Sequence, residues 1–171
     1  HANGITASVT TDQGIGEAEG VFLVGADGAR SKMGGELLNP APKFTGFVAR
    51  RAMADANAAL PEPLRRLLER RSTGAFLASG VHLVAYPLRG GAAMNLVCVT
   101  LSDFLLPMRR PPRSTPLPPR ALAQFSPEIA GFLNSCGWTQ WPVYAQAGAA
   151  KWSDGKNVLL IGDAAHASVP F

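Results

Sequence analysis

Cysteine is scarce: Cys98 and Cys136 are the only two in 171 residues. They stand far apart and share no ligand spacing with His1, His82 or His166. A disulfide scaffold and a metal site are therefore not indicated, and a reducing, cytoplasmic setting is the expectation. Long apolar runs are missing as well. The longest is about half of what a bilayer-spanning helix requires, and no charged segment precedes an apolar stretch at the start, so neither a membrane nor a secretory route is expected. Aromatic residues make up 8% of the chain and do not interleave with the scattered Arg and Lys, so the net charge of +4 does not describe a nucleic-acid surface. With 47% hydrophobic and 16% charged residues, the chain is too apolar for global disorder and has core material for one domain or parts of two. An initiator Met is also lacking. The chain opens at His1 and stops at Phe171, shortly after a strand-to-helix turn, which reads as a piece of a longer protein. Nothing in the composition specifies an oligomeric state.

What is present is strand-rich. Ile5 to Thr10 (ITASVT) favours a strand, and Asp12 to Gly20 reads as turn, with Gly14, Gly16 and Gly20 giving a hairpin its bend. Val21 to Gly25 (VFLVG) is apolar on both faces, the pattern of a strand covered on both sides in a parallel α/β sheet. Val158 to Gly162 (VLLIG) repeats that character far downstream. Between them the texture changes to alternation in Phe44 to Arg50, Gly80 to Leu88 and Ala93 to Leu101, which predicts an antiparallel sheet. One helix is expected from Pro63 to Arg71, with Leu64, Leu67 and Leu68 on one stripe. Another is expected from Pro127 to Ser135, with Ser126 as its cap and Pro127 at its first position. Pro107 to Arg120 is too rich in Pro and Arg for sheet interior or helix and reads as a loop.

Two short stretches carry the chemistry. Gly14, Gly16 and Gly20 do not qualify as a nucleotide fingerprint, because the spacing is one residue too long and a strand follows where a helix must point at the phosphates. The first informative stretch is Gly25-Ala26-Asp27-Gly28-Ala29-Arg30-Ser31. Its glycines allow a sharp turn beside a carboxylate and a guanidinium, at the carboxyl end of a strand where open α/β sheets bind ligands. The second is Gly162-Asp163-Ala164-Ala165-His166, again a strand end, a Gly turn, an acid and small residues suited to a helix start. Asp163 can accept from a sugar-type hydroxyl, and backbone N–H groups at a helix start suit phosphate. Taken singly, either stretch also fits an Asp that merely caps a turn.

In this order, and with PKFTGFVARR, HLVAYPLRGGAAMNLVCV and KWSDGKNVLLIGDAAHASVPF around them, the two stretches resemble the downstream motifs of class A flavoprotein monooxygenases. The likeness is to the salicylate-hydroxylase-like branch and is weakest from about Ser102 to Tyr144. It implies an α/β (α+β) fold in which a Rossmann-like FAD domain, here 1–38 and 146–171, is interrupted by a substrate domain with an antiparallel sheet, 39–145. By the same resemblance, Gly25, Asp27, Gly28 and Arg30 support the FAD pyrophosphate and the passage of NADH or NADPH. Gly162 and Asp163 hold the ribityl chain and pyrophosphate, and Pro170 lies beside the isoalloxazine. Lys32-Met33 departs from the family where a further Arg is usual, and Ala167 stands where this branch often has Pro. The strand–GxGxxG–helix that grips adenosine in the family has no counterpart, so weak or no FAD binding is expected of the chain by itself.

His82 and Tyr86 lie four apart on a predicted strand, which puts both side chains on one face with Cα atoms roughly 13 Å apart, a span that accommodates a small aromatic ring. A strand histidine is also a common packing residue. The resemblance implies a catalytic His and an active-site Tyr at these positions. The function it implies is hydroxylation of a phenolic or heteroaromatic acid, with NADH or NADPH and O₂, His82 removing the phenol proton. Two alternatives remain open at this stage: a non-catalytic β-rich module, and another flavin enzyme on the same scaffold, such as a reductase or halogenase.

Overall fold

A computed structural model describes residues 4–37, 42–102, 115–146 and 151–169. In chain order the strands are β1 (Ile5–Thr11), β2 (Gly14–Gly20) and β3 (Leu23–Gly25), followed by helix α1 (Lys32–Leu37), β4 (Lys43–Asp55) and α2 (Glu62–Arg70). Next come β5 (Gly74–Ala78), β6 (Val81–Leu88), β7 (Ala93–Leu101), α3 (Pro119–Leu122), α4 (Pro127–Ser135), β8 (Thr139–Ala145), β9 (Val158–Leu160) and α5 (Asp163–His166). The chain divides into two compact units, His1–Thr45 with Tyr144–Phe171, and Gly46–Val143.

The alternating segments form one five-stranded sheet in the order β5-β6-β7-β4-β8. β6 runs antiparallel to both β5 and β7, and β4 antiparallel to β7. Because strand side chains point to alternate faces, the register sorts them cleanly. One face offers Ala52, Val81, Leu83, Ala85, Met94, Leu96 and Cys98, which cluster with Leu64 of α2, Ala121 of α3, Ile129 and Leu133 of α4, and Trp138. Removing each of the Val, Leu, Ile and Met side chains from water contributes ~1.5–3 kcal/mol, and the alanines less, so this layer is the unit's main source of stability. Both expected long helices form. In α2, Leu64 is buried and Leu67 and Leu68 pack against the core, while Arg65 and Arg66 pair with Glu62 on the exposed side. α4 begins where Ser126 Oγ accepts from Ile129 N–H at 3.5 Å. Its far end is closed by Trp138, whose Nε1–H donates to the Leu133 carbonyl at 2.8 Å.

In the other unit β3 pairs in parallel with β9, Leu23 opposite Val158 and Gly25 opposite Leu160. The two apolar runs 21–25 and 158–162 thus meet in one parallel sheet. Three expectations need correction. Among the described residues the runs are covered on one side only: Val21, Phe22, Val24, Leu159 and Ile161 are exposed, while alternate residues such as Gly25, Val158 and Leu160 turn inward. Gly14 to Gly20 is not a turn but strand β2, joined to β1 by the two residues Asp12 and Gln13 with Thr11 opposite Gly14. Its alternating glycines sit on an exposed ribbon, where a missing side chain leaves no hole. Finally, Pro119–Leu122 of the Pro/Arg-rich segment is helical after all, since Pro119 occupies the first helical position, where the absent N–H is not needed. Residues 103–114 of that segment lie outside the described residues.

Candidate functional site

The turn after β3 is built by its own side chains. Gly25 is buried, and a Cβ there would lie 2.6 Å from a Leu160 methyl and 3.5 Å from Met33, so close packing alone accounts for a glycine. Gly28 has φ +79°, a conformation that side chains disfavour, and its carbonyl accepts from Ser31 N–H at 2.9 Å. Asp27 accepts from the Lys32 N–H at 2.9 Å, and Ser31 Oγ accepts from the Gly34 N–H at 2.7 Å, so both cap α1. A hydrogen bond from the Ser31 side chain, helped by backbone N–H groups against slight desolvation, holds the Asp27 carboxyl below the usual carboxylate range. Arg30 stands exposed on the same turn.

The turn after β9 comes to the same place. Gly162 precedes the single-turn helix α5, and its carbonyl accepts from Ala165 and His166 N–H groups. Asp163, exposed, shares with Ala29, Ser31, Gly34, Gln146 and Ala164 a small cleft with about 10 Å³ of room for water. A Cβ on Gly34 would come within 3.0 Å of the Ala164 carbonyl, so the glycine sets the close approach of α1 to α5. Ser31, Gly34 and Gln146 were not singled out from sequence as site residues in their own right. The signal for the first two was the Ser three residues before Gly34 at a helix start; Gln146 gave none. Pro170 lies outside the described residues.

In the sheet unit, His82 stands opposite Leu77 and Val99, and Tyr86 opposite Asn95. Both are half-buried and alternate with Val81, Leu83 and Ala85, so they share with Val84 the face turned away from the helix-packed core. Asn95, fully buried, accepts from Arg51 Nε–H at 2.5 Å through Oδ1, while its Nδ2 has no hydrogen-bond partner among the described residues. Arg51 and Asn95 were missed from sequence; the signal was Asn95, a polar residue within the otherwise apolar run Ala93–Val99, whereas Arg51, next to Arg50 on a mixed strand, gave none. On the opposite, core face Arg50 donates to Thr100 Oγ1 beside Cys98. Burial, partly offset by the Arg50 guanidinium, pushes the Cys98 thiol up to about 12.

Against known proteins, the family model described as FAD binding domain matches residues 1–171. The 3-hydroxybenzoate 6-hydroxylase 2 of Aquipseudomonas alcaligenes is 31% identical over 168 residues, covering 96% of this chain and 50% of that protein. The 3-amino-4-hydroxybenzoate 2-monooxygenase of Streptomyces cremeus is 25% identical, over 94% of this chain and 38% of that protein. A salicylate hydroxylase substrate complex superposes with a TM-score of 0.72 at 23% identity, over 99% of this chain and 44% of that one. Klebsiella pneumoniae HpxO complexed with FAD and uric acid gives 0.70 at 18% identity, over 99% and 42%. The chain thus spans half or less of the length of these proteins. Two strand-end turns converging on one cleft, an antiparallel sheet with a His–Tyr face and a family match from end to end lead to one conclusion: the chain belongs to the FAD-binding domain family.

Proposed function

We propose that the whole protein is an FAD-dependent monooxygenase that hydroxylates a phenolic or heteroaromatic acid using NADH or NADPH and O₂. The observation that carries this reading is the family match over 1–171 together with relatives that are hydroxybenzoate hydroxylases. The residues present fit the cofactor. At Gly28 and Gly162 a Cβ would meet nothing within 4 Å, so the backbone of both turns is open to close approach by a ligand. The Gly25–Ser31 turn, with Asp27, Gly28 and Arg30, would support the pyrophosphate, and Asp163 would accept from a hydroxyl of the flavin side chain. FAD, when bound, supplies the oxygen chemistry. This chain's share is binding, orientation and proton handling.

His82 and Tyr86 share a sheet face, and in this reading that face meets the aromatic substrate. A neutral imidazole at His82 accepts the phenolic proton, which makes the ring a better nucleophile, a role worth about 10² to 10⁴ in rate. Tyr86 orients the acid. The test is NADH oxidation and product formation by the full-length flavoprotein with a panel of hydroxybenzoates. His82→Ala is expected to slow ring hydroxylation by about 10²- to 10⁴-fold at saturating substrate with FAD content unchanged. Hydroxylation at the wild-type rate with an unaltered pH profile would reduce His82 to a packing residue. No hydroxylation of any aromatic acid by the wild type would favour another flavin chemistry on the same scaffold.

A further inference from the structure

The open face of the five-stranded sheet is set out by its register. Along it lie Ala75 and Leu77 of β5, His82, Val84 and Tyr86 of β6, Asn95, Val97 and Val99 of β7, and Ala49, Arg51 and Met53 of β4. Besides His82, these are apolar or uncharged save Arg51, which carries a permanent positive charge; Asp55, at the end of β4 opposite Ala93, adds a carboxylate to the same face, its Oδ1 accepting from the Asn57 N–H. Arg51 is exposed, yet it does not float in solvent. Its Nε–H is spent on Asn95 Oδ1, and Asn95 is itself fully buried directly opposite Tyr86. Fixing Nε aims the guanidinium while leaving its two terminal NH₂ groups, the half of the fork that grips a carboxylate in parallel bonds.

A second observation points the same way. The Asn95 amide can show only one of its ends to Arg51, and an Nε–H donor requires the oxygen. Nδ2 is then left buried with no acceptor among the described residues, which is uncommon in a settled sheet and calls for an explanation. Nδ2 is closed to solvent in this arrangement, so an anionic oxygen gripped by Arg51 would supply the lacking acceptor only once the Arg51 side chain shifts to admit it. Arg51 is level with Val97 and, through it, with Val84, the residue between His82 and Tyr86. It therefore stands two strands, about 10 Å, from the strand that carries them. An Arg side chain and one benzoate ring together cover that span.

We infer that Arg51, aimed by Asn95, is the anchor for the carboxylate of the aromatic substrate and so selects acids over neutral phenols. The inference rests on the hydroxylase reading above and adds to it the residue that recognises the acid. Asn95 is a positioning residue: it acts through Arg51.

The experiment uses the full-length flavoprotein and two probes, 3-hydroxybenzoate and its neutral amide 3-hydroxybenzamide, with Kd read from the flavin absorbance change. The wild type is expected to prefer the acid. Arg51→Met should weaken the acid by about 10- to 100-fold, the loss of a charge-assisted hydrogen bond, and leave the amide within about threefold. Arg51→Lys, which keeps the charge and loses the fork, should fall between and serves if the Met variant fails to retain FAD. Asn95→Ala should raise KM for the acid with little change in kcat, and its effect should vanish in the Arg51→Met background. Equal weakening of acid and amide, or no weakening of either, overturns the inference while the hydroxylase reading stands. A wild type that binds neither probe and hydroxylates no aromatic acid overturns both.

Discussion

Gly162 is held at φ 57° and ψ −146°, a combination only glycine reaches without strain, while nothing lies within 4 Å of where a Cβ would stand. Any penalty for a side chain there is therefore conformational. Gly162→Ala is expected to lower stability by about 1–3 kcal/mol in urea denaturation. Gly16→Ala is the control: it sits in the exposed strand β2, also with open space, and carries no positive φ. If the two variants lose the same amount, strain at Gly162 is not what keeps the glycine. The motif itself was legible in the sequence, since a glycine followed by an acid after an apolar run is visible as such. That Gly25 is demanded by the Leu160 methyl across the sheet was not, because its neighbour is 135 positions away and known only once β3 and β9 pair.

At the level of elements, α4 was readable at its start and not at its end. Ser126 and Pro127 announce a helix by local chemistry, whereas the residue that closes it, Trp138, does so by folding back to put its indole N–H on the Leu133 carbonyl. Trp138 is fully buried. Trp138→Phe should thus leave most of the packing and remove one donor, at an expected cost of about 1–3 kcal/mol in chemical denaturation. A variant as stable as the wild type would mean that the carbonyl finds another donor. The strands of the antiparallel sheet were visible because alternation is a local signal. The helix at Pro119–Leu122 was not, because its four residues are too few for periodicity to rise above their proline content.

For the molecule as a whole, Cys98 ties stability to alkaline pH. Its thiol, ordinarily near 9, titrates at about 12 when folded, chiefly because burial disfavours the thiolate. Below pH 9 both folded and unfolded chains hold the proton and the contribution is intact. Between about pH 9 and 12 the unfolded chain releases its proton while the folded one keeps it, so stability falls as pH rises, by up to about 1.4 kcal/mol per pH unit. Denaturation midpoints measured from pH 8 to 10.5 should show this decline, and Cys98→Ala or Cys98→Val should flatten it. An unchanged slope in both variants would assign the alkaline loss to other groups.

The alternating strands, the helices that begin at a cap or proline and the two glycine–aspartate turns are all written in residues that are neighbours along the chain, and so could be read before any folding. The sequence also carried the family likeness through those motifs. What lies across from what came only with the folded chain: the turns after β3 and β9 line one cleft, Val24 and Leu159 are exposed, and Arg51 is held by Asn95 opposite Tyr86. Those facts depend on strand pairing over long separations, and a register is fixed by burial of the whole sheet face, which no single segment specifies.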